Sequence, residues 1–303
     1  SYLMNIKQDR HRLLSTVFSE LLKDIREFII HSETGEDSVS SRESHGFLWE
    51  HTLHVAAYTL KICRFEEIEP TAPVLTALFH DAGKFAEGHI HADELPEEEG
   101  AAAIAEFFLR KAREDGQLVH TVLEALRGLY REEGKPNRIK DIVHDADFLA
   151  KSGRLGLFTF FTKAALRGKN LKNSLLEDAS KELTYADALT GNMRTAAGKQ
   201  MAEKKRRFTL DYFQSLFLEL KKDGIADFTI RDVSVPCPNK TRGKLRIKLV
   251  LPETCPGCGG SWTLDYGIEP GLKCRKLTAS IRCPFCASNR SISFCLPEIS
   301  ACK

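Results

Sequence analysis

Two adjacent metal-capable side chains, His80 and Asp81, end an apolar run over residues 74–79. Such a run predicts a buried helix, and neighbouring helix residues point about 100° apart. One ion can therefore take both side chains only where the helix ends, and Gly83 supplies a freer backbone there. The partial negative charge of a helix C-terminus also favours a cation. A buried His–Asp hydrogen-bonded pair is the alternative interpretation.

Polar side chains also occur inside two other apolar helical patterns. His51 lies at helical spacing from Val55 and Ile62, so it is either a core histidine with satisfied hydrogen bonds or a metal ligand. Asp145 and Asp147 lie inside the second pattern, where an unpaired buried carboxylate would be costly. Both stretches are therefore candidates to supply further ligands to an ion held at the end of the central run.

Together these stretches resemble the HD-domain superfamily of metal-dependent phosphohydrolases. The resemblance rests on three motifs, which read His-Thr-Leu-His-Val-Ala from residue 51, His-Asp-Ala-Gly-Lys from residue 80 and Asp-Ala-Asp-Phe-Leu from residue 145. It covers roughly residues 45–220 and implies a mainly α fold, with an HD-type helical bundle expected over residues 1–222. The metal ligands that it implies are His51, His80, Asp81 and Asp147.

The resemblance implies a divalent ion such as Mn²⁺, Mg²⁺, Ni²⁺, Co²⁺ or Fe²⁺, which suits mixed nitrogen and oxygen ligands. Such an ion lowers the pKa of a bound water and polarises phosphorus. Asp147 fits the family's Ala-Asp-x-Leu pattern better than Asp145, which is expected to orient a ligand instead. Histidines that accompany a second ion in part of the family are replaced here around Leu95 and Arg127, which favours one ion.

Catalysis is expected to depend on Asp81 and Lys84, because the lysine is placed to neutralise the charge of a phosphate. A solvent-exposed lysine just beyond a helix end is the alternative. Substrate contacts are expected from Lys84, His89, His91 and Arg127, since a planar guanidinium suits phosphate oxygens. The two histidines could instead be accessory metal ligands.

From Gly224 onward the helical spacing gives way to the alternation typical of β-strands, which predicts a small β-rich domain over residues 223–303. Two Cys-x-x-Cys pairs lie in it, and each pair offers two thiolates in a tight turn, as tetrahedral zinc requires. The pairs resemble a zinc ribbon, with Cys255, Cys258, Cys283 and Cys286 as the expected zinc ligands. The other five of the nine cysteines lack paired spacing and are expected to bind no metal.

Basic residues alternate along the second of the predicted strands, where Lys244, Arg246 and Lys248 share one face. A solvated outer face is one interpretation of this row. The other is a path for the phosphate backbone of a single-stranded nucleic acid.

Composition narrows the class of protein further. The 303 residues and 42% hydrophobic content can bury one large core or two smaller ones. No run approaches about 18 apolar residues, so no membrane partner is expected, and nine cysteines suit a reducing compartment such as the cytoplasm. The resemblance to the HD-domain superfamily, with which this composition agrees, implies a phosphohydrolase whose substrate is a nucleotide or a single-stranded nucleic acid. A non-enzymatic adaptor that docks nucleic acid or protein is the alternative.

Overall fold

The structure, a computed structural model, describes residues 16–34, 46–84, 96–129, 136–170, 178–236, 244–255, 257–261, 263–269 and 275–296. Within them the chain is mainly helical and ends in a small β-rich part, so the predicted fold class is confirmed. The helices are α1 (Thr16–Thr34), α2 (Phe47–Phe65), α3 (Thr71–Phe79), α4 (Glu97–Lys111), α5 (Gly116–Gly128), α6 (Arg138–Ala150), α7 (Gly153–Leu166), α8 (Ala179–Asn192) and α9 (Ala196–Lys222). The strands are β1 (Phe228–Pro236), β2 (Lys244–Pro252), β3 (Thr263–Glu269), β4 (Arg275–Arg282) and β5 (Asn289–Leu296). Over the described ranges, every helix is too short or too polar to cross a membrane.

Contacts within the chain divide it into two compact units. The first comprises Ser1–Lys151 together with Arg194–Gly198, and the second comprises Ser152–Met193 together with Lys199–Lys303. The sequence predicts a boundary after residue 222 instead. That boundary concerns which parts fold independently, and it stays a prediction.

The first unit is built around α3, a short helix that is apolar on all sides. Every residue from Ala72 to Phe79 is buried, as expected for a helix at the centre of a core. This helix packs against α2, α4, α5 and α6. The ring of Phe79 stacks on that of Phe108, with their centroids 6.3 Å apart. The central position of α3 fixes where the helix ends, and therefore where His80 and Asp81 lie.

Helices α2 and α6 pack along each other and carry the remaining candidate ligands. At the start of α6, the side chain of Asn137 accepts the backbone N–H groups of Ile139 and Lys140, which is the usual role of an N-cap asparagine. At the start of α2, Leu48 donates its backbone N–H to the buried Glu33 carboxylate at 3.0 Å. Both helix starts are thereby fixed, which limits how either helix can slide along the other.

The second unit has its own apolar core, to which helices α7, α8 and α9 contribute together with β1 and β2. Ring contacts run through it from Phe213 to Phe217 (6.0 Å between centroids) and from Phe217 to Phe228 (5.6 Å). Strands β1 and β2 are antiparallel, with Phe228 opposite Pro252. The buried members of this core are Leu157, Ala179, Leu183, Phe213, Phe217, Leu220, Phe228 and Val250.

The outer edge of β2 is covered by α8. Ser180 accepts the backbone N–H of Val250 at 2.9 Å, and Thr184 accepts that of Lys248 at 3.1 Å. Two hydroxyl side chains one helical turn apart thus satisfy backbone groups that an edge strand would leave unpaired. Val250 is buried as a result, although strict alternation would place it on the basic face beside Lys248. The ammonium of Lys248 itself pairs with Asp232 on β1 at 2.7 Å.

Strands β3, β4 and β5 form a second antiparallel sheet in that order. Thr263 lies opposite Arg282, and Arg282 in turn lies opposite Asn289. One cysteine pair lies between β2 and β3, and the other lies in the turn between β4 and β5. Strands β3 and β4 thus lie between the two pairs in the chain, and because the strands are antiparallel, both pairs lie at the same end of this sheet.

Candidate metal centre

Three elements of the first unit bring four candidate ligands together. His51 comes from α2, Asp147 from α6, and His80 and Asp81 from the turn after α3. His51 Nε2 lies 2.9 Å from Asp147 Oδ1 and 3.7 Å from Asp81 Oδ2. His80 Nε2 lies 3.4 Å from Asp81 Oδ2 and 3.8 Å from Asp147 Oδ1. The structure therefore joins, in one cluster, residues that are up to 96 positions apart in the chain.

His80 is held in one orientation by the last turn of α3. Its Nδ1 lies 2.7 Å from the carbonyl oxygen of Ala77, and because a carbonyl can only accept, Nδ1 is the donor. Nε2 then faces the two carboxylates, is fully buried, and has no hydrogen-bond partner among the described residues. Burial lowers the pKa of His80, but Asp81 and Asp147 raise it by more, to about 9. The two carboxylates therefore favour a positive charge on or beside Nε2.

The other members of the cluster are also shifted by burial and by one another. Burial lowers the pKa of His51, against the opposing effect of Asp147. Burial alone would raise the pKa of Asp81, but His80 and Lys84 hold it well below its usual range. The pKa of Asp147 is likewise well below its usual range, because Lys151 and His51 outweigh its burial. Both carboxylates are therefore ionised at neutral pH.

The donor set fits a divalent metal ion. The ligand atoms of His51, His80 and Asp81 all lie within 4.8 Å of one another, and Asp147 Oδ1 is within 2.9 Å of the His51 nitrogen. Two imidazole nitrogens and two carboxylate oxygens suit a borderline transition metal. The buried Nε2 of His80 is an atom that such an ion would satisfy.

Lys84 contacts this cluster from its partly exposed side. Its Nζ lies 2.6 Å from Asp81 Oδ2, and 27% of the side chain is exposed. Burial lowers the pKa of this ammonium, but Asp81 raises it by more, so the group stays charged. The predicted contact between Lys84 and a phosphate stays a prediction, and the ion pair shows that its charge already acts on a candidate ligand.

Gly83 has a different role from the one that the sequence suggests. Its position after an apolar run predicts the backbone freedom of a helix C-terminus, but the φ angle of Gly83 is not left-handed. Instead, a Cβ at this position would lie 2.4 Å from the carbonyl oxygen of Glu97 and 2.8 Å from the nitrogen of Ala101. Gly83 therefore allows the first turn of α4 to pack directly against the turn that carries His80 and Asp81.

Asp145, the rival of Asp147 in the sequence, is engaged elsewhere. Its carboxylate is fully buried and accepts the backbone N–H groups of Arg194 (2.9 Å) and Thr195 (2.8 Å) and the Thr195 hydroxyl (2.8 Å). His144 Nδ1 donates to the same carboxylate at 3.0 Å. Asp145 thus anchors the start of α9, whereas Asp147 points into the cluster.

The other predicted substrate contacts have different outcomes. Arg127 donates from Nε to Glu99 at 3.0 Å, and its contact with a substrate stays a prediction. His89 and His91 lie outside the described residues. Lys151 is not among the residues predicted from the sequence, and its Nζ lies 2.7 Å from Asp147 Oδ1. The signal for it was available, because it lies four residues after Asp147 and thus on the same side of α6.

The four predicted zinc ligands also form one cluster, in the second unit. Cys255 and Cys286 have their sulfurs 3.4 Å apart, as do Cys258 and Cys283, and all four sulfurs lie within 4.8 Å of one another. Zinc–sulfur bonds of ~2.3 Å in a tetrahedron place the sulfurs about 3.8 Å apart. These distances therefore fit a zinc ion, and the four cysteines are free thiols.

Backbone hydrogen bonds shape the turns that carry these cysteines. Cys255 donates its N–H to the carbonyl of Gly260, and Cys283 donates to that of Ser288, both at 2.9 Å. The Ser288 hydroxyl lies 3.0 Å from Cys286 Sγ, and this is the strongest of several hydrogen bonds that together lower the pKa of that thiol to about 6. Thiolate character is what a metal ligand needs.

Among the five cysteines predicted to bind no metal, Cys63 is buried in α2. Burial raises the pKa of its thiol to about 12, which agrees with a core residue. The positions or side chains of the remaining four lie outside the described residues, namely Cys237, Cys274, Cys295 and Cys302.

Comparison with known proteins bears on the helical part. Residues 48–154 match the family model of the HD domain, whereas no curated protein matches the chain in sequence. Similar solved structures include a predicted HD superfamily hydrolase from an uncultured Thermotogales bacterium, with 19% identity, a TM-score of 0.46, and coverage of 66% of this chain and 91% of that one. Two others are an HD-superfamily hydrolase from Bacillus thuringiensis (19%, 0.49, 67% and 98%) and Bacillus subtilis YpgQ in complex with ADP (19%, 0.47, 67% and 97%). The family-model match therefore identifies an HD domain at residues 48–154 of the chain.

Proposed function

We propose that the protein is a metal-dependent phosphohydrolase that hydrolyses a phosphoester of a nucleotide or a nucleic acid. The observation that carries this proposal is the buried Nε2 of His80, which faces two carboxylates without a hydrogen-bond partner among the described residues. The place where this nitrogen meets two anionic groups favours a positive charge, and a bound metal ion would supply that charge and accept the Nε2 lone pair. The HD domain supplies the class of enzyme in which such a cation acts on phosphate esters.

Each residue of the cluster has a distinct role in this function. His51, His80, Asp81 and Asp147 would hold the ion, and the carbonyl of Ala77 keeps His80 turned toward it. When bound, a divalent ion supplies a water of lowered pKa and polarises the phosphoryl group. Lys84 places an ammonium beside Asp81 at the partly exposed side, where it can neutralise the charge of a substrate phosphate. A substrate would reach the ion from the side of His51, because His51 is partly exposed while the other three ligands are buried.

The cysteine cluster is assigned to structural zinc under the same proposal. Four thiolates leave no coordination position for water, and closed sites of this kind stabilise a fold rather than act on a substrate. The zinc would cross-link the turns before β3 and before β5.

The proposal is tested by measuring metal content and hydrolysis on the full chain. Protein loaded separately with Mn²⁺, Mg²⁺, Ni²⁺, Co²⁺ or Fe²⁺ is assayed against nucleotides, cyclic nucleotides and single-stranded oligonucleotides. We expect about one divalent ion per chain besides zinc, and phosphate release from at least one member of the panel. His80→Gln should remove both, while His120→Gln, at an exposed histidine on α5, should remove neither.

Two results would count against the proposal. A His80→Gln protein that keeps both the ion and the activity would show that the cluster is not the catalytic centre. A parent protein that binds the ion but hydrolyses nothing in the panel would favour the adaptor alternative.

A further inference from the structure

Each carboxylate of the candidate metal centre has its own lysine. Lys84 forms an ion pair with Asp81. Lys151, the residue just after α6, forms one with Asp147, and its Nζ lies 2.7 Å from Oδ1 and 2.8 Å from Oδ2. The carboxylates are nearly inaccessible, at 4% exposure, whereas the Lys151 side chain is 50% exposed. The ammonium groups thus lie on the solvent side of the cluster and the carboxylates on its inner side.

Lys151 shares its carboxylate oxygen with the predicted metal ligands. Asp147 Oδ1 is 2.7 Å from the ammonium, 2.9 Å from His51 Nε2 and 3.8 Å from His80 Nε2. An ammonium and a divalent ion both draw on the lone pairs of that oxygen, so they compete for it. The lysine has a flexible four-carbon stem and is half exposed, so its charged end can move outward while the buried ligands stay in place.

We propose that Lys151 is a phosphate-binding residue of this centre, one that holds Asp147 and turns to the anionic substrate once a divalent ion takes the carboxylate. This inference rests on the proposed function and names the part of the substrate that the centre recognises. The side chain of Lys151 begins one turn after Asp147, at the end of α6, so its ammonium stays within reach of an anion bound beside that carboxylate.

The charges of the cluster indicate which phosphate it favours. Asp81 and Asp147 balance Lys84 and Lys151, so a divalent ion brings these groups to a net charge of +2. Glu97, whose charge also acts on Lys84, lowers this excess without reversing it. A phosphomonoester carries close to two negative charges above its second pKa of about 6, whereas a diester carries one. Because a Coulomb interaction scales with the product of the charges, the centre favours a terminal phosphate over a phosphodiester.

The experiment measures two affinities on the full chain with Lys151→Gln. The first is the affinity for Mn²⁺ without phosphate, which should become severalfold tighter because a competing cation is gone. The second is the affinity of the Mn²⁺-loaded protein for methyl phosphate at pH 8, which should weaken about tenfold with the loss of one charge-assisted hydrogen bond. Affinity for dimethyl phosphate should weaken less. A merely structural role would weaken the binding of both metal and phosphate.

Two further variants sharpen the comparison. Lys140→Gln makes the same charge change near the start of α6, 11 residues before Lys151 and thus about 16 Å away along the helix axis. It should leave both affinities unchanged. Lys151→Arg keeps the charge and should retain most of the affinity for methyl phosphate.

The outcomes separate this inference from the proposed function. If the parent protein takes up no divalent ion, both fall. If the parent binds Mn²⁺ and methyl phosphate while Lys151→Gln binds them equally well, only the role of Lys151 is refuted. Equal loss of methyl phosphate and dimethyl phosphate would refute the preference for a terminal phosphate.

Discussion

Asp145 is a fully buried carboxylate, and three of its four hydrogen-bond donors lie about 50 residues further along the chain, at the start of α9. Replacing it with alanine should lower the free energy of unfolding by about 4 kcal/mol. The backbone N–H groups of Arg194, which is partly buried, and of Thr195, which is buried, would lose their acceptor, and each such loss costs about 1–3 kcal/mol. The Thr195 hydroxyl can turn to another partner, so it is not counted. A loss of this size is a large share of a typical stability of about 5–15 kcal/mol.

Urea denaturation followed by circular dichroism measures this loss. The control is Asp141→Ala on the same helix, because that carboxylate is partly exposed and lies 3.6 Å from an Arg194 nitrogen. An exposed ion pair of this kind is worth about 0–1 kcal/mol. If Asp145→Ala costs no more than Asp141→Ala, the anchoring role of Asp145 is refuted. At a temperature where it stays folded, Asp145→Ala should also keep the divalent ion that Asp147→Ala loses.

Gly198 permits an independent check of the same contact. A Cβ at this position would lie 2.2 Å from Asp145 Oδ2 and 2.8 Å from the Thr195 hydroxyl, so Gly198→Ala must displace the carboxylate. Removing the carboxylate first removes the closer of these clashes. The two substitutions should therefore be less costly together than the sum of their separate costs. Strict additivity would mean that Asp145 does not depend on the space that Gly198 leaves.

Three further predictions concern other parts of the chain. Gly83→Ala should destabilise the protein by about 1–3 kcal/mol in thermal unfolding, since its Cβ would meet rigid backbone, and it should weaken Mn²⁺ binding in a titration. Gly116→Ala should do neither, because a Cβ there meets nothing within 4 Å. Burial raises the pKa of Glu182 from 4.5 to about 7, so its contribution is present below pH 4.5 and is lost as the pH rises through 7. Glu182→Gln should accordingly raise the free energy of unfolding, and with it the melting temperature, at pH 8 but not at pH 4.5; the gain is at most about 3 kcal/mol and smaller because the side chain is partly exposed. An equal gain at both pH values would contradict this. Cys255→Ser with Cys283→Ser should make the β-rich part cleavable in limited proteolysis while the helices of the first unit stay resistant, and equal resistance in parent and variant would refute structural zinc.

The parts of the centre that the sequence predicts are those fixed by local periodicity. The apolar run over residues 74–79 predicts a buried helix that ends just before His80, and the structure confirms it. Helical spacing likewise predicts that His51 lies on the buried face of α2, and Val55 and Ile62 are fully buried beside it. Both predictions concern a single helix and its buried side, and the spacing of apolar residues along the sequence is enough to indicate these.

The parts that the sequence does not predict depend on contacts between distant residues. Nothing in the neighbourhood of Asp145 indicates that Arg194 and Thr195 will supply its donors, so it remained a rival ligand. Gly83 has a role only because the first turn of α4 approaches it. Lys151 differs, because its spacing from Asp147 was visible, but the distance between their charged atoms was not.

The basic row on β2 shows a similar limit in the second unit. Arg246 is exposed, as alternation predicts, while the side chain of Lys244 lies outside the described residues. Lys248 is paired with Asp232 on the neighbouring strand, and this pairing depends on a register that the sequence did not specify. One charge fewer is therefore available to a nucleic-acid backbone, and binding through this face stays a prediction.

The geometry of His80 bears directly on the choice between a metal centre and a buried His–Asp pair. In a simple pair, the imidazole would donate a well-aligned hydrogen bond to Asp81. Here the aligned donor is Nδ1, and it is committed to the carbonyl of Ala77, whereas Nε2 lies 3.4 Å from Asp81 Oδ2 without the alignment of a hydrogen bond. That nitrogen is instead almost equally far from the two carboxylates, as a shared cation between them would require. The arrangement therefore favours the metal centre over the hydrogen-bonded pair.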